Sequence, residues 1–300
     1  MNILISGASG LIGSALRPYL ESKGHQVYIL HRGRNDGSFF WQPEKDLIHL
    51  DKDIHLDAVI NLNGVNIGDK PWNAQRKRDI IESRVKCTQL LTQAVSERFN
   101  TPSVFINASA IGFYGDTGNS SVNESSPEGD NFLSEIVSKW EAAAKPAIDA
   151  GIRTVFIRSG VVLTPQGGAL QKMLLPFKLG LGGKVGNGQQ FMSWISLRDE
   201  LRAIHFLLNQ SDINGPVNLC APNPVTNAQF TKALGGALKR PTLLPMPAWL
   251  IKIIFGEMGE LLLLNGAKVM PNVLLENGFK FLHPDIKSAL FTERGKSLQK

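Results

Sequence analysis

The feature that most constrains this chain lies within its first thirteen residues. A short apolar run, Asn2–Ser6, leads directly into Gly7-Ala8-Ser9-Gly10-Leu11-Ile12-Gly13, and apolar residues at helical spacing follow from Leu11 to Ser22. Glycines here let the backbone turn sharply and approach a pyrophosphate closely. The charge of that group then sits on the free amides and positive dipole end of the helix. The spacing is GxxGxxG rather than GxGxxG, and a glycine triad also occurs where backbones merely pack tightly. Its position between a first strand and a first helix is the context a phosphate-binding turn requires. The same division into strand, turn and helix, with no basic segment ahead of it, argues against a secretory leader.

The alternation continues. Val27–Leu30 and Ala58–Leu62 read as strands, Asp79–Arg98 as a helix, Ser103–Ala108 as a strand, Phe132–Ala150 as a helix and Thr154–Ile157 as a strand. The strands are continuous apolar runs, which suits a parallel sheet covered by helices on both faces. The predicted class is α/β: a Rossmann-like, doubly wound parallel sheet with a small, mainly helical C-terminal domain. After about Val162 the pattern changes, with seven glycines between Gly167 and Gly188 in a loop-rich stretch. Helices are expected over Arg198–Leu208, Gln229–Leu238, Ala248–Phe255 and Glu257–Asn265. Residues 1–165, with about 190–222, then form the nucleotide-binding domain. About 166–189 and 223–300 form the smaller substrate-side domain, and the glycine-rich segment lines the cleft. Phe177, Phe191, Met192 and Trp194 are either pocket-lining or packing residues on this reading.

Composition removes several alternatives. Two cysteines, Cys87 and Cys220, are too few and too far apart for a disulfide framework or a cysteine zinc site. Six scattered histidines form no metal-binding pair, so no metal is expected. The net charge of +6 is spread along the chain, and its one tight run, Arg76-Lys77-Arg78, reads as a solvated helix face. No nucleic-acid partner is expected. The longest apolar stretch, Ala248 to Leu264, is interrupted by Lys252, Glu257 and Glu260, so a membrane partner is not expected and a cytoplasmic location is.

About 20 residues past the glycine turn, a dinucleotide site carries the residue that reads the adenosine ribose. An acidic side chain there accepts from a 2′-hydroxyl. This chain has Leu30-His31-Arg32-Gly33-Arg34. A guanidinium cannot accept a hydrogen bond but clamps a phosphate through two parallel donors. The cofactor is therefore expected to be NADP(H), with Arg32 the main determinant and His31 and Arg34 assisting.

These residues, with Asn61-Leu62-Asn63-Gly64 closing the Ala58 strand, resemble the extended short-chain dehydrogenase/reductase superfamily. The chain is most similar to its atypical SDR39U1-like, or YfcH-like, branch of "epimerase family" proteins. The matching stretches include Asn61–Ile67, Ser83-Arg84-Val85, Ser109–Gly115, Trp140–Ala143, Arg158–Leu163, Leu179–Gly183 and Gly278–Phe281 followed by Pro284. The resemblance implies cofactor contacts at Gly7, Ser9, Gly10, Leu11, Ile12 and Gly13, at Leu62, Asn63 and Gly64, and at Asp79 and Arg84. It also implies one through the backbone of Val162 near the nicotinamide. Asn63 departs from the Ala common in the family. A homodimer paired through the helices Asp79–Arg98 and Phe132–Ala150 is likewise an implication of the resemblance.

Members of the superfamily use a Tyr as acid/base, with a Lys four residues on that favours the phenolate. The three tyrosines allow a complete test. Tyr28 is followed at that spacing by Arg32 and Tyr114 by Gly118. Tyr19 is followed by Lys23, but inside the first helix. Alignment on Glu141 puts Leu133 and Val137 in the two places, and neither transfers a proton. Ser109, matching the family's catalytic Ser/Thr to within one residue, and Tyr114 on the following loop are the replacement candidates. For Tyr114 the opposing reading is a packed aromatic with a satisfied hydroxyl. Glu135 and Lys139 read as an i,i+4 ion pair, and Asp199 as a helix cap. Two functions follow. One is an NADP(H)-dependent oxidoreductase or epimerase acting on an unidentified small molecule without the usual dyad. The other is a non-catalytic NADP(H)-binding redox sensor or structural protein.

Overall fold

A computed structural model describes residues 1–33 and 37–297. Its central sheet contains β1 (Asn2–Ser6), β2 (Gln26–Arg32), β3 (Phe39–Gln42), β4 (Leu47–Leu50), β5 (Ala58–Asn61) and β6 (Val104–Ala110), together with Arg153–Ser159 and Gly215–Leu219. The spatial order is Gly215–Leu219, Arg153–Ser159, β6, β5, β1, β2, β3, β4. Every neighbouring pair is parallel except β3 and β4, an antiparallel edge pair. Strand order reverses on either side of β1, so the crevice for a ligand opens above the carboxyl ends of β1 and β5.

Both faces of the sheet are covered, which explains the unbroken apolar strands. Ile3, Ile5, Ile60, Ile106, Val155 and Ile157 point to one side. There they meet Leu16 and Leu20 of helix α1 (Leu11–Glu21) and Ile204 and Leu207 of the Leu197–Leu208 helix. The alternate residues Leu4, Val59, Phe105 and Phe156 point to the other side, against Leu91 and Val95 of helix α2 (Ala74–Ser96). Full burial of such a side chain contributes roughly 1.5–3 kcal/mol.

Several boundaries differ from those expected, each for a local reason. Helix α2 begins five residues before Asp79 because Asn73 caps it, its side chain accepting from the Arg76 amide. The expected Phe132–Ala150 helix is two, α3 (Phe132–Ala142) and Lys145–Asp149, with Pro146 in the first turn of the second. Proline has no amide to continue a preceding helix. The glycine-rich stretch contains a helix of its own, Gly168–Lys178. Gly256, at φ +56°, breaks Ala248–Gly259 where the two helical runs were expected to part.

The C-terminal segments close around a further apolar cluster that includes Leu163, Phe177, Trp194, Phe230, Leu234 and Leu290. Phe177 and Trp194 are thus packing residues. Asp199 is fully buried and structural: its carboxylate accepts from the amides of Leu282 and His283 (both 2.8 Å) and from Arg202 (2.8 Å). It pins the terminal segment to the sheet's helical layer.

Candidate functional site

The glycine turn has the geometry its sequence demands. Gly7 lies at φ +74°, and a Cβ there would come within 2.6 Å of the Leu62 carbonyl oxygen. A Cβ on Gly13 would lie 2.4 Å from the Gly7 carbonyl. The turn is therefore pressed onto the end of β5 on one side and into α1 on the other. Gly10 is the N-cap of α1 and, having no side chain, provides no capping hydrogen bond; no acidic residue occupies the first turn. The leading amides of α1 consequently remain as donors facing the crevice.

Three segments converge here. Leu62 and Asn63 meet the turn through Gly7. The loop after Val162 meets it through Leu11, whose side chain lies 2.6 Å from where a Cβ of Gly167 would stand. A groove of about 580 Å³ lies between the turn and the loop after Val162, with Ser9, Gly10 and Leu11 on one wall and Thr164, Gln166 and Arg198 on the other; Leu62 and Asn63 do not line it. Ile12 and Gly13 lie on the first turn of α1 behind that wall.

Beneath the strand ends lies a polar network not foreseen from the sequence. Ser6 donates to Asn61 Oδ1 (2.7 Å), and the Asn61 amide donates to Asn107 (2.7 Å) and Thr88 (2.9 Å). Trp140 donates to the same Thr88 hydroxyl, and Asn63 Nδ2 donates to Asn61. Asn61 and Asn107 are register partners on β5 and β6. An asparagine within each of two otherwise apolar runs, at the end of β5 and in the middle of β6, was the available signal. The network fixes the loop leaving β5, because every buried polar group in it is paired.

Arg84 of α2 serves the same loop. Its guanidinium donates to the carbonyls of Ile80 and Val65 (both 3.1 Å), stands over the Trp140 ring and packs against Gly64. Burial, with Arg76 nearby, lowers its pKa to about 10. At the end of β2, His31 and Arg32 are exposed, and Arg32 reaches across to Cys87 of α2, 3.9 Å from its sulfur. Arg34 lies outside the described residues. Asp79 stands apart, on a recess of about 410 Å³ at the start of α2 with Lys70, Asn73 and Arg76. Its carboxylate accepts from Gln75.

Both acid–base candidates are already engaged. Ser109 is buried and donates to Glu141 Oε1 (2.6 Å), while Glu141 accepts two hydrogen bonds from Arg158 (both 2.8 Å). Tyr114 is 4% exposed; its hydroxyl donates to Asn218 (2.8 Å) and accepts from Arg158 (3.1 Å). Burial pushes the Tyr114 phenol above its ordinary pKa, against the pull of Arg158. Burial also opposes the Arg158 charge, but the Glu141 carboxylate outweighs it and the pKa is raised. Of the two readings of Tyr114, the buried and doubly hydrogen-bonded hydroxyl has the surroundings of a packed aromatic. On α3, Val137 is buried and Leu133 packs on Gly112. Glu135 and Lys139 form the exposed ion pair expected of them.

One further acid escaped the sequence reading. Glu200, in the first turn of the Leu197–Leu208 helix, is fully buried and accepts from Ser159 Oγ (2.6 Å), with its second oxygen unpartnered. Burial raises its pKa to about 8. Among the described residues no group of three or more His, Cys, Asp or Glu could hold a metal ion.

The sheet order, the uncapped α1 and the glycine turn define a doubly wound nucleotide-binding protein. The chain belongs to the NAD dependent epimerase/dehydratase family, which it matches over residues 3–220; residues 246–291 match a domain of unknown function, DUF1731. It is 42% identical over 290 residues to the epimerase family protein Mb2239 of Mycobacterium bovis, covering 96% of each chain. It is 36% identical over 293 residues to the human epimerase family protein SDR39U1, covering 97% of this chain and 98% of that one. The crystal structure of human SDR39U1 (isoform 2) with NADPH superposes with a TM-score of 0.89 at 34% identity, covering 98% and 99% of the two chains.

Proposed function

We propose that this chain binds NADP(H) across the carboxyl ends of β1 and β5 and uses it in an oxidoreductase or epimerase reaction of a small molecule, without a Tyr-x-x-x-Lys dyad. The observation that carries the reading is the uncapped N-terminus of α1 behind a turn whose Gly7 and Gly13 leave no room for a Cβ. That cradle fits a pyrophosphate, held by the amides of Leu11, Ile12 and Gly13 with Ser9 and Gly10 alongside. Arg32, with His31 and Arg34, would hold a 2′-phosphate at the end of β2. Leu62, Asn63 and Gly64 would line the dinucleotide, Arg84 would keep their loop in place, and Val162 would border the nicotinamide. Asp79 belongs to the same proposal at the start of α2. The segments 166–189 and 223–300 would supply the substrate side.

When bound, the cofactor supplies hydride chemistry at the nicotinamide. The residues of this chain orient it, exclude water from the groove and hold the substrate oxygen. The human relative's structure with NADPH supports the cofactor assignment. A second reading, a non-catalytic NADP(H)-binding sensor, is favoured by one observation: Ser109 and Tyr114 are both tied into the Glu141–Arg158–Asn218 network.

The test has two arms. Arg32→Ala is expected to lower the NADPH-to-NADH affinity ratio by about ten- to a hundredfold, the loss of a charge-assisted phosphate clamp; an unchanged ratio refutes the assignment. Protein loaded with NADPH deuterated at C4 is then exposed to a fractionated cell extract. Deuterium appearing in one metabolite establishes a reductase and identifies its substrate. Tight NADPH binding with no transfer turns the weight to the sensor.

A further inference from the structure

A large apolar surface on the C-terminal half takes no part in the groove. Leu179, Leu181, Leu243, Leu244, Trp249 and Ile253 are each 54–81% exposed. They belong to two segments that run side by side and the helix that follows. The Met246 amide donates to the Lys184 carbonyl and the Gly186 amide to the Met246 carbonyl (both 2.9 Å). Arg240 Nε donates to the Lys178 carbonyl (2.9 Å), and a Cβ on Gly183 would collide with the Leu244 carbonyl. The leucines of both segments therefore lie close together. The chain continues into Ala248–Gly259, where Trp249 and Ile253, four residues apart, share a helix face. Soluble monomers rarely expose a contiguous apolar patch beyond a few hundred Å², and larger ones mark an interaction surface.

The charges around the patch select its occupant. Lys178, Lys184, Lys239 and Arg240 are exposed beside it, and none forms an ion pair among the described residues. The acids of the helix are spent elsewhere, Glu257 on Lys77 and Glu260 on Lys252. A second copy docked face to face would bring two such positively charged rims together with no acid between them. A surface that accepts leucine, isoleucine and tryptophan while offering negative charge satisfies both halves of the patch. We infer that this face docks in the plane of an anionic lipid bilayer, with Trp249 and Ile253 inserted at headgroup depth and the lysines on the phosphates. Among the described residues no helix is long and apolar enough to cross a membrane. Hydropathy along the chain, which reads spans, does not register a surface assembled from three separate segments.

The full chain is mixed with phosphatidylcholine vesicles, with or without a third of phosphatidylglycerol, and bound protein is separated by flotation. Binding is expected to be at least about tenfold tighter to the anionic vesicles and to weaken with salt. The double variant Trp249→Glu, Ile253→Glu should lose it while keeping NADPH affinity, since both side chains are exposed. Lys178→Glu with Lys184→Glu should abolish the preference for phosphatidylglycerol. Absence of binding, equal binding to both vesicle types, or binding indifferent to these substitutions overturns the inference. So does a concentration-dependent dimer, seen by sedimentation velocity and lost in the Trp249→Glu, Ile253→Glu variant, because a second copy would then cover the face.

Discussion

Replacing Glu200 by glutamine should raise the protein's stability relative to wild type progressively as pH rises from 5 to 8. The carboxyl is fully buried with one oxygen unpartnered, and burial lifts its pKa from 4.5 to about 8. Between those values the folded protein keeps a neutral acid where the unfolded chain carries a carboxylate, so unfolding releases a proton. The group's contribution is therefore full below pH 4.5 and is lost progressively as pH rises through about 8. At roughly 1.4 kcal/mol per pH unit across that window, the loss is on the order of 5 kcal/mol in all and about 2–3 kcal/mol between pH 5 and 7. Glu200→Gln keeps the shape and an acceptor for the Ser159 hydroxyl but cannot ionise. Any fixed cost of burying the new amide shifts its stability by the same amount at every pH. Urea unfolding of both proteins at pH 5, 6, 7 and 8 isolates the titrating part. The variant's stability relative to wild type should rise by about 2–3 kcal/mol from pH 5 to 7, with the denaturant slope unchanged. Parallel curves would refute the reasoning, since the carboxyl would then titrate alike in both states.

Gly13→Ala places a Cβ 2.4 Å from the Gly7 carbonyl and should destabilise by about 1–3 kcal/mol while weakening NADPH binding, read by thermal unfolding and by nucleotide fluorescence. Undiminished binding would show that the turn is not the cradle. Tyr114→Phe leaves Asn218 and Arg158 short of a partner and should cost about 1–2 kcal/mol with NADPH affinity unchanged. A loss of turnover at unchanged stability would make the phenol catalytic instead. Arg158→Leu strands the Glu141 carboxylate and should cost about 3–5 kcal/mol, much of it recovered in the double variant with Glu141→Gln; additive costs would deny the coupling.

What could be read along the chain follows from how local each constraint is. The glycine turn was legible because its three glycines and the strand and helix beside them fall within the first stretch of chain, although the Leu62 carbonyl that excludes a Cβ at Gly7 lies 55 positions away; the core strands were legible because both faces of each are covered. The β3–β4 edge pair was not legible: its strands are four residues long, and pairing at the edge of the sheet defines them more than any periodicity does. Glu200 was hidden for a related reason. It sits in the charged Arg198-Asp199-Glu200 run at the expected start of a helix, and the strand Arg153–Ser159 and the terminal segment enclose that turn. The NADP(H) contacts proposed from residue pattern alone, at Gly7–Gly13 and His31–Arg34, cluster at two turns, whereas the surroundings of the acid–base candidates are decided across the sheet. Ser109 meets Glu141 from 32 positions away, and Tyr114 meets Arg158 and Asn218 from 44 and 104. The expectation that Leu133 and Val137 take the Tyr and Lys places rests on spacing from Glu141 alone. That Ser109 and Tyr114 do not stand free in their place follows only from the folded neighbourhood of Arg158.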